Sequence, residues 1–171
     1  GNSQLVVDAR ENPGFLKELP IAPAPLSRTP TAITTWNAGG DNTANDGFST
    51  PVVLPFPFKY DGRVFSQLWV SPNGYITFNN PAGVSAATSR ISDFLTLSSA
   101  PNAVIALCWS DLNATSGGSI GTFTVGAPGS RVFVVNFNAV PFNPNTGAVS
   151  GQIHLHETTG RIELHLTTVT H

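Results

Sequence analysis

The residues best equipped for chemistry stand close together near the end of the chain: His154, His156, Glu163 and His165. Histidines two apart on an extended strand share one face, so His154 and His156 can meet a common ion. Glu163 on the following strand can complete a three-ligand set, with His165 alongside. A metal-dependent enzyme is the function this would support. The competing reading is a solvent-facing hairpin surface whose His–Glu and His–Arg pairs are ordinary cross-strand neighbours, and the pattern favours it.

Two further groups offer oxygen ligands. In Gly40-Asp41-Asn42-Thr43-Ala44-Asn45-Asp46-Gly47, the side chains of Asp41, Asn42, Asn45 and Asp46 could supply hard oxygens to Ca²⁺. The run lacks the closing glutamate of the standard calcium loop, and tight turns select the same residue types, so a plain turn is preferred. In Trp109-Ser110-Asp111-Leu112-Asn113, Asp111 and Asn113 lie at a strand end beside Trp109. An aromatic ring that stacks on a sugar, next to groups that bond its hydroxyls, makes these three residues a candidate glycan contact. A Trp109 turned into the core is the simpler expectation. Asn113-Ala114-Thr115 also fits a glycosylation acceptor, relevant in a eukaryotic source. A serine-hydrolase triad is discounted, on the reading that no Gly-x-Ser-x-Gly elbow is present and that scattered Ser, His and Asp residues say nothing by themselves. The chain is read as non-catalytic.

These groups must be held by a scaffold, and composition indicates which. The chain has 171 residues, 40% of them hydrophobic, enough for one core and a single domain. Only 11% are charged, while 16 Gly and 14 Pro point to strands joined by many turns. A net charge of −2 provides no field for phosphate, so nucleic acid and anionic membrane are poor partners. The single cysteine, Cys108, rules out an intrachain disulfide and reads as an inert thiol in an apolar run. No segment approaches the length of an apolar membrane span or a signal-peptide core. Low charge, no Met and abundant Thr and Asn fit a secreted module, and the leading Gly1 is read as a piece cut from a longer polypeptide.

The first 32 residues contain Pro13, Pro20, Pro23, Pro25 and Pro30, which exclude a helix and favour an extended lead-in. Within it, Leu5-Val6-Val7 could add an edge strand and Phe15-Leu16 could pin the segment to the body. Thereafter strands are expected at 33–36, 51–59, 63–70, 75–79, 103–109, 119–125, 131–138, 148–156 and 161–169. Strands this short and regularly spaced predict an antiparallel sandwich. Asn73-Gly74 is expected to form a two-residue hairpin turn with positive φ. If Glu157-Thr158-Thr159-Gly160 forms a type I turn closed by a left-handed Gly, His156 opposes Arg161, Leu155 opposes Ile162, His154 opposes Glu163 and Ile153 opposes Leu164. That register sends Ile153, Leu155, Ile162 and Leu164 inward, with Trp69, Phe78, Phe133 and Val135 also in the core. It leaves Gln152, His154, His156, Arg161, Glu163 and His165 on the outer face.

An ordered set of pieces then carries a resemblance: Thr35-Trp36, Asp41 to Asp46-Gly47, Leu54-Pro55-Phe56, Phe58-Lys59-Tyr60-Asp61-Gly62, Val70-Ser71-Pro72-Asn73-Gly74-Tyr75-Ile76-Thr77-Phe78, Ile105 through Asn113, Gly117-Gly118-Ser119, Arg131-Val132-Phe133-Val134-Val135 and Leu155 through Glu163. Together they resemble a β-sandwich module of secreted and surface-attached bacterial proteins, adhesin-like chains among them, and are distantly similar to the nidogen-type extracellular domain. The resemblance covers roughly residues 33 to 169 and implies a non-catalytic extracellular module for adhesion, ligand contact or spacing. It brings no catalytic residues with it. Where the pattern has Pro-Phe before the tryptophan, this chain has Leu107-Cys108, which keeps the position apolar.

The resulting expectation is an all-β, two-sheet antiparallel sandwich, jelly-roll-like or immunoglobulin-like, over 33–171, behind a Pro-rich lead-in at 1–32. Its expected role is binding a glycan or protein ligand at a cell surface through strand-end loops. Asp41 to Asp46 and Asp111 to Asn113 are the preferred contact region, Ca²⁺ is a candidate organiser, and homo-oligomerisation as a structural spacer is the neighbouring alternative.

Overall fold

The computed structural model describes residues 5–8, 16–18, 24–84, 102–144 and 146–170. These residues form strands and turns without a helix: β1 (Leu5–Asp8), β2 (Leu16–Glu18), β3 (Thr31–Ala32), β4 (Val52–Tyr60), β5 (Arg63–Ser71), β6 (Tyr75–Thr77), β7 (Val104–Ala106), β8 (Ser119–Val125), β9 (Val132–Pro141), β10 (Ala148–His156) and β11 (Arg161–Val169). One sheet has the order β2-β1-β11-β10-β9-β8-β3 and the other β4-β5-β6-β7. Each is built mostly of sequence neighbours paired antiparallel, so short turns close most of the connections.

Period-two alternation decides which faces meet. On β4, Leu54, Phe56 and Phe58 are buried while Val53, Pro57 and Lys59 are exposed. Pro55 and Pro57 have no N–H to donate, which suits the edge position of β4, and the register with β5 breaks between Val53 and Phe58. The inner faces of both sheets fill one core, with Phe58, Leu68, Val70 and Ile76 from one and Phe133, Val135, Ile153 and Leu155 from the other. Leu164 packs against this core while staying partly exposed. A second apolar cluster of Phe48, Trp69, Tyr75 and Trp109 lies apart from it, so Trp69 is buried there rather than in the main core.

Several expectations about backbone shape are met and others corrected. The β10–β11 register has Leu155 opposite Ile162, His154 opposite Glu163 and Ile153 opposite Leu164, as anticipated. Gly74 and Gly160 have φ of +80° and +63°. The turn before Gly74 is, however, a three-residue loop, because Ser71 pairs with Tyr75 and Asn73 keeps negative φ. Pro72 sets the start of that loop, and one left-handed Gly closes it. The two-residue turn with two positive φ angles occurs instead at Asp61-Gly62, between the paired Tyr60 and Arg63. Residues 33–36 are not a strand. The pairing lies at Thr31–Ala32, after which Ile33 N–H donates to Ile120 O at 2.9 Å and Thr35 O accepts from Thr50 N–H at 3.2 Å, carrying the chain from one sheet to the other. In the lead-in, Leu5–Asp8 pairs with β11 and Leu16–Glu18 with β1. Phe15 and Pro13, Pro20 and Pro23 lie outside the described residues.

Gly74 and Gly62 provide a controlled pair for one prediction. Both have left-handed φ, but a Cβ on Gly74 would sit 2.3 Å from Cys108 Sγ whereas one on Gly62 meets nothing within 4 Å. Gly62→Ala is expected to cost about 1–2 kcal/mol from backbone strain alone. Gly74→Ala should cost more, on the order of 2–4 kcal/mol, since the packed sulfur must move as well. Urea unfolding of both variants checks the ranking, and equal losses would show that Cys108 yields freely.

Candidate functional site

Two regions gather the polar residues singled out from the sequence. At one of them the loop 41–46 meets the segment 111–113. Asp41 Oδ1 accepts from Thr43 N–H at 2.8 Å and Asp46 N–H at 3.3 Å, while its Oδ2 accepts from the Thr43 hydroxyl at 2.6 Å. This is the side-chain capping that makes Asp a turn residue. Asn73 joins the two segments from beneath, donating from Nδ2 to Asp46 Oδ1 at 2.9 Å and accepting from Leu112 N–H at 2.8 Å. Ala114 N–H donates directly to Ala44 O at 2.9 Å. Burial pushes the Asp46 carboxyl above the usual range, the Asn73 bond opposes this, and the charges of Asp111 and Asp41 add to the rise.

The two loops are therefore adjacent and form one surface. Asn42 is exposed with φ of +60°, and Asn113 accepts at Oδ1 from Thr115 N–H at 2.9 Å. Trp109 does not join them as a sugar platform. It is buried, with its ring stacked on Tyr75 at a centroid distance of 4.4 Å, so it presents no free face. Asn73, read from sequence only as a turn former, is the residue that holds the surface together. Its nearly complete burial reflects side-chain bonds to positions 27 and 39 residues away, which no local pattern encodes.

The second region is the outer face of the β10–β11 hairpin, and here the expected solvent exposure is wrong. The side chains of His154, Glu163 and His165 are only 2%, 3% and 6% exposed, and Gln152 is buried with them. Part of the reason is visible at Leu26, whose segment runs over this face. Leu26 N–H donates to Gln152 Oε1 at 3.0 Å, and Gln152 Nε2 donates to Leu26 O at 2.9 Å.

Glu163 is the hub of this region. Its Oε2 lies 2.9 Å from His165 Nε2 and 3.5 Å from His154 Nδ1, and its Oε1 lies 3.1 Å from His156 Nε2 and against Arg161 Nη2. Burial pushes His154 down to about 3, and the neighbouring His165, His156 and Arg161 act in the same direction. Burial, then Arg161 and His165, pushes His156 down to about 4. Imidazoles around one carboxylate are a ligand set. His154, Glu163 and His165 each bring one ligand atom within 4.8 Å of the others. His156, half-buried, stands at the margin beside Oε1.

Two other groups bear on chemistry. Burial pushes the Cys108 thiol up to about 11, which keeps it protonated and unreactive. Contrary to the expected absence of such a motif, Gly117-Gly118-Ser119-Ile120-Gly121 has the spelling of a nucleophile elbow. Ser119 nonetheless opens β8 opposite Asn138, within a strand pair rather than at a strand-to-helix turn, so the spelling carries no elbow.

Glu157, in the β10–β11 turn, clamps the neighbouring β8–β9 turn. Its Oε2 accepts from Gly129 N–H at 2.8 Å, Arg131 N–H at 3.0 Å and Arg131 Nε at 2.9 Å, with Oε1 taking Arg131 Nη2 at 2.6 Å. The Arg131 side-chain bond holds Glu157 down to about 2 from an ordinary 4.5. A carboxylate depressed in the folded state adds stability above its unfolded value and loses it as pH falls through the folded one. The stability difference between wild type and Glu157→Gln should therefore be constant near neutral pH and shrink between about pH 4.5 and 2. Urea midpoints across that range check this, and a pH-independent difference would contradict it.

The family model that matches the chain is described as NIDO related and spans residues 25–171. No curated protein and no solved structure matches the chain.

Proposed function

The chain belongs to the NIDO-related family, and on that premise of a nidogen-like, extracellular type of domain we propose that it is a non-catalytic binding and adhesion module of a secreted or cell-surface protein. Its ligand is a glycan or a protein, held by the joined loops 41–46 and 111–113. The observation that supports this reading is the stapling of those loops through Asn73 and the Ala114–Ala44 bond, which makes one rigid polar surface from two separate stretches of chain. Loops on a rigid sandwich can present polar groups without disturbing the core. Ca²⁺ is an optional organiser, favoured by the mutual influence of Asp46, Asp111 and Asp41.

The test is a glycan array probed with the full chain, with and without Ca²⁺, followed by calorimetry on the best glycan. Asp111→Asn and Asn113→Ala are expected to weaken binding at least tenfold while the melting temperature without calcium stays nearly unchanged. Unchanged binding in both variants would overturn the loop assignment.

A spacer or oligomerisation role has its own support. Val53 is 74% and Val64 65% exposed, on and beside the edge strand β4. A dimeric or trimeric mass with no hit on the array would favour that role over ligand binding.

A further inference from the structure

Gln152 fixes the chemistry of the imidazole beside it. The backbone N–H of Leu26 can only donate and its C=O can only accept, so Gln152 must turn Oε1 to the first, at 3.0 Å, and Nε2 to the second, at 2.9 Å. Nε2 also donates to Asn136 Oδ1 at 2.9 Å, which agrees with that orientation. His154 Nε2 therefore meets an oxygen at 2.8 Å and must carry the ring hydrogen. The other ring nitrogen, Nδ1, is turned away from Gln152 and faces Glu163 Oε2 at 3.5 Å. Glu163 Oε2 also lies 2.9 Å from His165 Nε2, so two imidazole nitrogens and one carboxylate oxygen converge in a space shut away from water, where one cation would engage all three.

We propose that His154 Nδ1, Glu163 Oε2 and His165 Nε2 form a buried site for one first-row divalent transition-metal ion of the Zn²⁺ type. Two imidazole nitrogens and one carboxylate oxygen are a borderline-soft donor set, suited to zinc and unlike the all-oxygen shells of Ca²⁺ and Mg²⁺. A tetrahedral ion with bonds of about 2.0–2.2 Å holds its ligands roughly 3.3–3.6 Å apart, and the His154–Glu163 spacing of 3.5 Å already matches this. His165 Nε2, 2.9 Å from Oε2, needs only a few tenths of an ångström to reach the same spacing.

The surroundings fit a ligand shell. Gln152 takes the hydrogen of the far His154 nitrogen, which is how outer partners hold a ligating histidine in the correct tautomer. Arg161 rests on Glu163 Oε1 and leaves Oε2 to bind as a single-oxygen ligand. Because the ligands sit on two strands and Gln152 grips Leu26, the ion would clip β10 to β11 and steady the segment entering the sheet. Three protein ligands leave one tetrahedral position on the ion for a water molecule. The inference does not depend on the loop surface proposed for ligand binding.

The decisive experiment is titration of the full chain, stripped of any affinity tag and treated with chelator, with Zn²⁺ alone in a calorimeter. One equivalent is expected to bind, and Co²⁺ in its place should show the visible absorption of a tetrahedral site. A hundredfold excess over Kd should raise the melting temperature by about 5–10 °C. Glu163→Gln and His165→Ala should each abolish the stoichiometric event. Gln152→Ala, which leaves every ligand atom in place, should weaken it about 10–100-fold. A wild-type chain that takes up neither ion would overturn the proposal, and so would one-to-one binding that survives both ligand substitutions. Should those two variants fail to fold, the wild-type titration decides by itself.

Discussion

Phe133→Ala is expected to lower the unfolding free energy by about 3–5 kcal/mol, a large fraction of what a domain of this size commonly has. Phe133 lies on β9 with Thr124 opposite on β8 and Leu155 opposite on β10, so strands on both sides confine its ring. It is 3% exposed and belongs to the core cluster shared by the two sheets. The flanking strands cannot collapse into the space a missing ring leaves, and so the cavity adds to the lost transfer energy. Urea denaturation monitored by tryptophan fluorescence measures the loss. Val53→Ala, at a side chain 74% exposed, is the control and should stay within about 0.5 kcal/mol of wild type. A comparable loss at both positions would mean that the Phe133 ring does not lie between the sheets.

Gln152→Ala should also be strongly damaging, at about 2–4 kcal/mol in metal-free protein, although the loss comes from polar contacts. Four hydrogen bonds converge on this one amide, from Leu26 N–H, to Leu26 O, to Asn136 and from His154. Each polar group left buried without a partner costs about 1–3 kcal/mol, and Leu26, being half-buried, can recover part of this from water. The same change should release the segment at 24–30, so hydrogen exchange at the Leu26 amide is expected to accelerate at least tenfold while exchange at amides in the β9–β10 ladder changes far less. Unaltered protection at Leu26 would show that this segment is held by other contacts.

What the sequence determined by itself is what local chemistry controls. Alternation of apolar and polar residues along β10 and β11, with a left-handed Gly160 between them, was sufficient to set the hairpin register and to point Ile153, Leu155 and Ile162 inward. A slip of one residue would place charge in the core, so the pattern protects itself. The strands at Val52–Tyr60 and Arg63–Ser71 were legible for the same reason, and so was the positive φ of Gly74.

Tertiary structure alone decided everything that depends on what covers a face. The polar side of β10 and β11 reads as a surface, yet Leu26 reaches Gln152 across 126 positions and the His154–Glu163–His165 group is sealed from water. Trp109 could equally have faced a ligand or a neighbour, and Tyr75 settles which. Asp41 to Asp46 and Asp111 to Asn113 become one surface because Asn73, in a third stretch of chain, bonds to both and Ala114 N–H reaches Ala44 O. The physical reason is common to all three. Strand period and turn type follow from sterics between residues a few positions apart, whereas burial of a polar group is set by distant segments that remove its water and must replace those hydrogen bonds.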